Sequence, residues 1–218
     1  MGSITRSLAN NITTSGVILP AGITNSSVSA VTSFANASAG TLTLLSTQTA
    51  SASATISFTT GLNSTYDEYI FKFINIHPAS QSDLVFQGST DGGSNYGIAI
   101  TSTVFRAYHY EADNGDGLAY ITNSDLAQST SFQPLIQTTT LGNAADDCLS
   151  GSLTIFNPSS TTYVKHFISS ASAVEIGNWT SYVAGYFNTT SAINAFQFKM
   201  GTGNIDDGII KLYGVKKS

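Results

Sequence analysis

Across residues 1–66 the chain carries one charged side chain, Arg6, and the next charge is Asp67. In that stretch 31 residues are Ser, Thr or Asn. Globular proteins are about a quarter charged, whereas this 218-residue chain is 10% charged. Its solubility therefore rests on small neutral hydroxyls and amides. Such side chains favour strands and tight turns over long helices. A surface this poor in charge also does little to hold copies apart, so the feature points to a subunit that packs against neighbours.

A chain of this length can bury a sizeable core, as one all-β domain or as a domain plus an arm. Twelve Phe and ten Tyr separate it from disordered low-complexity sequence. The net charge of −5 argues against nucleic acid as a partner, because phosphate binding needs clustered Lys and Arg. Cys148 stands alone, so no intrachain disulfide forms. No apolar run approaches the roughly 18 residues of a membrane span, and the N-terminus lacks the pattern of a secretion signal. The sequence thus expects neither nucleic acid nor membrane insertion.

Residues 1–40 read as an N-terminal arm. Ile4, Leu8 and Ile12 recur every four residues, and Val17, Ile18 and Leu19 form an apolar cluster closed by Pro20. Large apolar residues spaced through an uncharged background suit an arm that grips a groove on another protein. From 41 to 218 the period becomes two, the alternation of strands. Segments 41–48, 54–60, 68–77, 83–90, 96–111, 118–122, 132–140, 149–157, 163–169, 180–187, 193–200 and 208–215 read as strands. In 68–77 Tyr69, Phe71 and Phe73 share one face, while Ile70, Ile74 and Ile76 line the other with Lys72 among them. A strand apolar on both faces is expected to be central and covered by two layers. Turns are expected at His77-Pro78, 91–93, 114–117, Asn157-Pro158, 201–204 and 206–208. Short strands joined by polar turns, with no convincing long helix, give the expected fold: all-β, a jelly-roll-like β-sandwich with an extended N-terminal arm.

No sequence pattern marks a catalytic, cofactor or metal site. His77, His109 and His166 are far apart and outside metal-ligand spacing. A turn role is expected for His77 and cross-strand packing for His109. Residues 91–95 and 113–117 carry closely spaced oxygens of the kind that suits calcium, yet Asp and Gly are also the ordinary turn residues and neither stretch reaches a bidentate Glu. Glu68, Glu111 and Glu175 are the carboxylates in or beside strands, and Tyr108, Tyr110, Trp179, Tyr182 and Tyr186 are aromatics able to stack on sugars or pack in an interface. These keep a carbohydrate-binding or polysaccharide-depolymerising module as the alternative reading. Its discriminator is whether aromatics and a carboxylate pair share one groove.

Residues 66–76 (YDEYIFKFINI), 84–87 (LVFQ), 89–96 (STDGGSNY), 151–158 (GSLTIFNP), 193–200 (INAFQFKM) and 203–215 (GNIDDGIIKLYGV) together resemble small β-sandwich structural proteins of tailed bacteriophages. The resemblance covers about 55–215 and leaves out the arm. It implies a virion component with no catalytic residue: a tail fibre, a receptor-binding appendage or a capsid decoration protein. The expectation is therefore a virion surface subunit without enzymatic activity or cofactor. It would form a homotrimer and be anchored to other virion proteins through Ile4, Leu8, Ile12, Val17, Ile18 and Leu19. A host surface glycan is a further candidate partner.

Overall fold

A computed structural model of the chain describes residues 42–137 and 141–216, all within the unit Gly40–Ser218. The six arm residues singled out above lie outside the described residues. Twelve strands and no helix occur among the described residues: β1 (Leu42–Ser53), β2 (Ile56–Phe58), β3 (Glu68–Pro78), β4 (Leu84–Ser89), β5 (Ile100–Tyr110), β6 (Asp116–Tyr120), β7 (Gln133–Pro134), β8 (Leu149–Phe156), β9 (Lys165–Val174), β10 (Gly177–Phe187), β11 (Ala195–Met200) and β12 (Ile205–Val215). The large sheet runs β1-β12-β3-β8-β9-β10-β5-β6 and the small one β2-β11-β4-β7. All pairings are antiparallel.

The pairings form a nested ribbon. β1 pairs with β12, β2 with β11, β3 with β8, and β4 with β7. Folding that ribbon over itself brings β12 beside β3 and β11 beside β4. This is the jelly-roll arrangement, two sheets from eight strands. Two hairpins are added to it. The strands β5 and β6 lie between β4 and β7 in sequence, and β9 and β10 lie between β8 and β11. All four join the large sheet beyond β8, as a wing that the small sheet does not match strand for strand.

Alternation places one side of each strand in the core. Tyr69, Phe71 and Phe73 of β3 point inward, as do Phe86 of β4, Phe167 of β9, Phe187 of β10, and Phe196 and Phe198 of β11. Their rings meet mostly edge to face, with Phe71 and Phe198 at 4.9 Å and Phe86 and Phe167 at 5.2 Å between centroids. Such contacts add about 0.5–1.5 kcal/mol per pair beyond the area they bury. Two buried glutamines hold the loops. Gln87 Nε2 donates to the carbonyls of Ile98, Thr130 and Ser131, and Gln133 Nε2 donates to those of Ser124 and Pro134.

Four expectations change. β3 is covered on one side only: Lys72 and Ile74 are exposed and Ile70 is half-buried, while a register shift between Phe73 and Ile76 turns Ile76 inward. Residues 206–208 form no turn. They lie inside β12 as a bulge, where Gly208 has φ +121° and a Cβ would sit 2.7 Å from the Asn75 carbonyl oxygen. Within 132–137 only Gln133–Pro134 pairs as a strand, because proline lacks the donor a longer ladder needs. His77 lies within β3, one residue before its end at Pro78, rather than in a turn, its Nδ1 2.7 Å from the Asp147 carbonyl oxygen.

Candidate interaction surface

The outward side of the large sheet follows from parity. It presents Leu42 and Leu44 on β1, Ile74 on β3, Phe156 on β8, Ile168 on β9, Tyr182 on β10, Phe105 on β5, and Leu118 and Tyr120 on β6, all of them exposed. Lys72 and Lys211 are cross-strand neighbours in its middle, like charges in mutually unfavourable positions.

On the wing the side chains align in rows across the strands. Tyr182, Phe105 and Tyr120 are register partners on β10, β5 and β6, and Tyr182 stacks on Phe105 at 5.1 Å and 18°. They form an aromatic ridge. The rows on either side each combine two smaller residues with one large one: Ala184 and Thr103 with Ile168 on one side, Thr180 and Ala107 with Leu118 on the other. Above Ala184 the surface sinks into a depression of about 460 Å³, walled by Ile168, Thr101, Thr103, His166 and Tyr186. At its rim Gln128 Nε2 donates to Thr101 Oγ1 at 2.6 Å, and Asn188 Nδ2 donates to Gln128 Oε1 at 2.6 Å. A second depression of about 570 Å³ shares His166 and is lined by Phe156 and the exposed Tyr163.

The inward side of the wing is filled. Tyr108 stacks on Trp179 at 5.0 Å, Tyr110 meets the same indole at 5.6 Å, and the Arg106 guanidinium lies 4.6 Å from the indole centroid. Arg106 Nη1 also donates to Gln137 Oε1. Glycines on and before β6 allow the close packing. A Cβ at Gly117 would come within 2.9 Å of the Tyr108 ring, and one at Gly115 within 2.6 Å of the Tyr110 ring. Trp179 is only 5% exposed and belongs to the same core cluster as Phe86, Phe167 and Phe187, with Tyr108 and Tyr110 packed against it, so the main core continues beneath the wing. Trp179 Nε1, Ser181 Oγ and Arg106 Nε have no partner among the described residues.

The candidate residues separate accordingly. Tyr108, Tyr110 and Trp179 come together on the inner side, while Tyr182 and Tyr186 lie on the outer side, so the five aromatics do not share a groove. Glu111 and Glu175 reach the same end of the large sheet, where the Glu111 N–H donates to the Ile176 carbonyl; Glu68 begins β3 at the opposite end. His109 is exposed beside Asp113 at 3.1 Å rather than packed across strands. His166 tilts against Tyr186, 6.0 Å between ring centroids. In the 91–95 turn the Asp91 carboxylate accepts from Ser89 Oγ, Asn95 N and Asn95 Nδ2. The Ser89 bond first, then those from Asn95, hold its pKa down at about 2. Sequence reasoning missed the outward apolar set on the wing, because parity alone does not tell which side a second sheet covers. It also missed Lys165, which is fully buried and donates to the carbonyls of Tyr163 and Thr189. Burial lowers its pKa.

Acids gather at one end of the sandwich. Asp146, Asp147, Asp206 and Asp207 line a depression with Asn75 and His77, and Glu111, Asp113, Asp116 and Glu175 lie at the same strand ends. Leu42, where the chain joins the sandwich, pairs with Val215 at the opposite end. No family model, curated protein or solved structure matches the chain.

Proposed function

We propose that this protein is a structural subunit of a bacteriophage virion surface, serving as a tail fibre or receptor-binding appendage or as a capsid decoration protein. One observation carries the reading. Among the described residues the outward side of the large sheet leaves Leu44, Ile74, Phe156, Ile168, Phe105, Leu118 and Tyr182 exposed, around the Lys72–Lys211 pair. A sheet face with that much exposed apolar surface is suited to an assembled state in which a neighbour covers it. The low charge lets such neighbours approach closely.

Residues 1–40 would dock on the particle through Ile4, Leu8, Ile12, Val17, Ile18 and Leu19. The assignment to a virion rests on the resemblance of residues 55–215 to phage structural proteins.

Immunogold electron microscopy tests it, using antibody raised against the purified chain on particles released from the producing host. Label on heads identifies decoration, and label on tails identifies an appendage. Particles that carry no label and lack the chain by mass spectrometry overturn the proposal. A chain lacking residues 1–40 is expected to keep its melting transition and lose its place on the particle. A truncated chain that fails to fold would instead assign those residues to the core.

A further inference from the structure

We propose that the outer face of the wing formed by β9, β10, β5 and β6 packs against the same face of a second copy of this chain, in a two-fold contact. The inference deepens the reading of the outer face as a covered surface. It does not depend on where the assembly resides.

Topology gives the first reason. The nested ribbon is complete with eight strands, so β5–β6 and β9–β10 are additions. These additions carry Phe105, Leu118, Tyr120, Ile168 and Tyr182, five of the exposed large apolar side chains. Hairpins that serve only to enlarge a core would hide such residues.

Area gives the second. Their exposures are 44%, 73%, 52%, 55% and 42%. At about 200 Å² per large residue, that leaves about 500 Å² of exposed side-chain surface, most of it apolar. The largest patch on a typical monomer is about 300–600 Å². A standard interface covers about 800 Å² on each partner, of which roughly 56–65% is apolar. This patch with its rim of Thr, Ser and Asn therefore matches one side of a protein interface in size and in composition.

Shape and charge select the occupant. The face holds an aromatic ridge, Tyr182–Phe105–Tyr120, beside a trough over Ala184. Turned about a two-fold axis, the ridge of each copy fills the trough of the other. An isologous contact needs this self-complementarity, and two twisted sheets pack face to face in such a manner. Between the two strand ends the wing's outward positions hold no Lys, Arg, Asp or Glu; Asp116 and His109 are register partners at the acidic end. The nearest carboxylate is Asp125, which accepts from the Tyr120 hydroxyl at 2.6 Å at the edge of the ridge, so two chains of net charge −5 can meet over the Phe105, Tyr182 and Ala184 part of the face without like charges opposed. The geometry favours a dimer or a higher even-numbered assembly over the trimer expected from sequence.

Sedimentation equilibrium on the full chain at tens of micromolar tests the contact, with the variants Ala184→Arg and Leu118→Lys. Both positions are exposed, so both variants should keep the parent's circular dichroism and melting curve. Leu118→Lys alone suffices should Ala184→Arg fold poorly. The parent is expected at the mass of two chains or an even multiple, and each variant should weaken association at least tenfold. Leu44→Lys, at the far edge of the same face, should leave association unchanged. A monomeric parent, an assembly indifferent to both wing variants, or an equal loss in Leu44→Lys overturns the proposal. None of these outcomes bears on whether antibody finds the chain on particles.

Discussion

Phe198→Ala is the most direct test of how the two sheets hold together. The Phe198 ring is fully buried on β11 of the small sheet. It meets Phe71 at 4.9 Å and Phe73 at 5.4 Å on the large sheet, and Phe58 at 6.1 Å and Phe86 at 6.3 Å in its own. Truncating a buried Phe to Ala removes transfer free energy and leaves a cavity, together about 3–5 kcal/mol. Each aromatic contact adds about 0.5–1.5 kcal/mol beyond area, and rings on both sheets cannot collapse toward one missing ring at once. The loss should therefore fall near the upper limit, about 5 kcal/mol. For a domain of this size that corresponds to a fall in Tm of roughly 10–20 °C. Urea unfolding followed by circular dichroism gives the free energy, and calorimetry gives Tm. Phe132→Ala is the comparison. Phe132 is half-buried, meets Tyr96 at 6.4 Å and lies 4.3 Å from the Lys199 ammonium, so its loss should stay under about 2 kcal/mol. A loss below about 2 kcal/mol for Phe198→Ala, or one no larger than for Phe132→Ala, would refute the view that this ring joins the sheets.

Three further outcomes follow from particular side chains. Asp91 has a folded pKa of about 2, below its ordinary 3.8. Its ionised form therefore stabilises the fold above the ordinary value, and that contribution is lost as pH falls from 3.8 through about 2; Asp91→Asn should melt lower than the parent at pH 7, with the gap closing over that window, and a gap that does not change with pH counts against the argument. Gly117→Ala would place a Cβ 2.9 Å from the Tyr108 ring and push it off Trp179. Emission from this single tryptophan should shift red and stability should fall by about 1–3 kcal/mol; an unchanged spectrum would show that the ring has room. Lys165 is buried and its pKa lies below 10.5. The unfolded chain therefore binds more protons than the folded one in the window between the lowered folded value and 10.5, and stability rises with pH across that window. Relative to Lys165→Met, the parent's Tm should climb as pH approaches 10.5, and parallel pH profiles would refute it.

Strand positions were legible because alternation is a local signal. Tyr69, Phe71 and Phe73 could be assigned to one face from spacing alone, and so could Phe196 and Phe198. The sheet to which each strand belongs was not legible. β1 pairs with β12 across most of the described chain, and nothing in either segment names its partner. This is why β3, apolar on both sides, was expected between two layers: the pattern records what each face prefers, not whether this chain supplies the cover. Residues 206–208 misled for a related reason. Asp-Asp-Gly is turn chemistry, yet Gly208 serves a bulge set by the close approach of the Asn75 carbonyl on β3. Among the candidate aromatics, Tyr108 and Tyr110 share parity on β5 and could be grouped from sequence. Their meeting with Trp179 depends on the β5–β10 register, and the role of Arg106 depends on the indole lying beneath it.

The two sides of the wing have to be considered together. A sheet extended past its partner layer leaves its inner side wet and is free to twist and flex. Here that side is closed by Trp179, Tyr108, Tyr110 and Arg106, and by the segment after β6, which Gln133 ties to Ser102 and to Ser124. Among the described residues three buried polar atoms of this cluster have no partner. The core of the jelly roll gains little from such an arrangement, since Phe71, Phe86 and Phe198 are already enclosed. A binding face gains more. Ordering a mobile sheet at the moment of association would subtract from affinity, whereas a face held rigid beforehand loses less on binding. The inner cluster thus fixes the rows of β9, β10, β5 and β6 in the register that sets the aromatic ridge beside the Ala184 trough. Loosening it, as Gly117→Ala would, should weaken association even though residue 117 lies on the opposite side of the sheet.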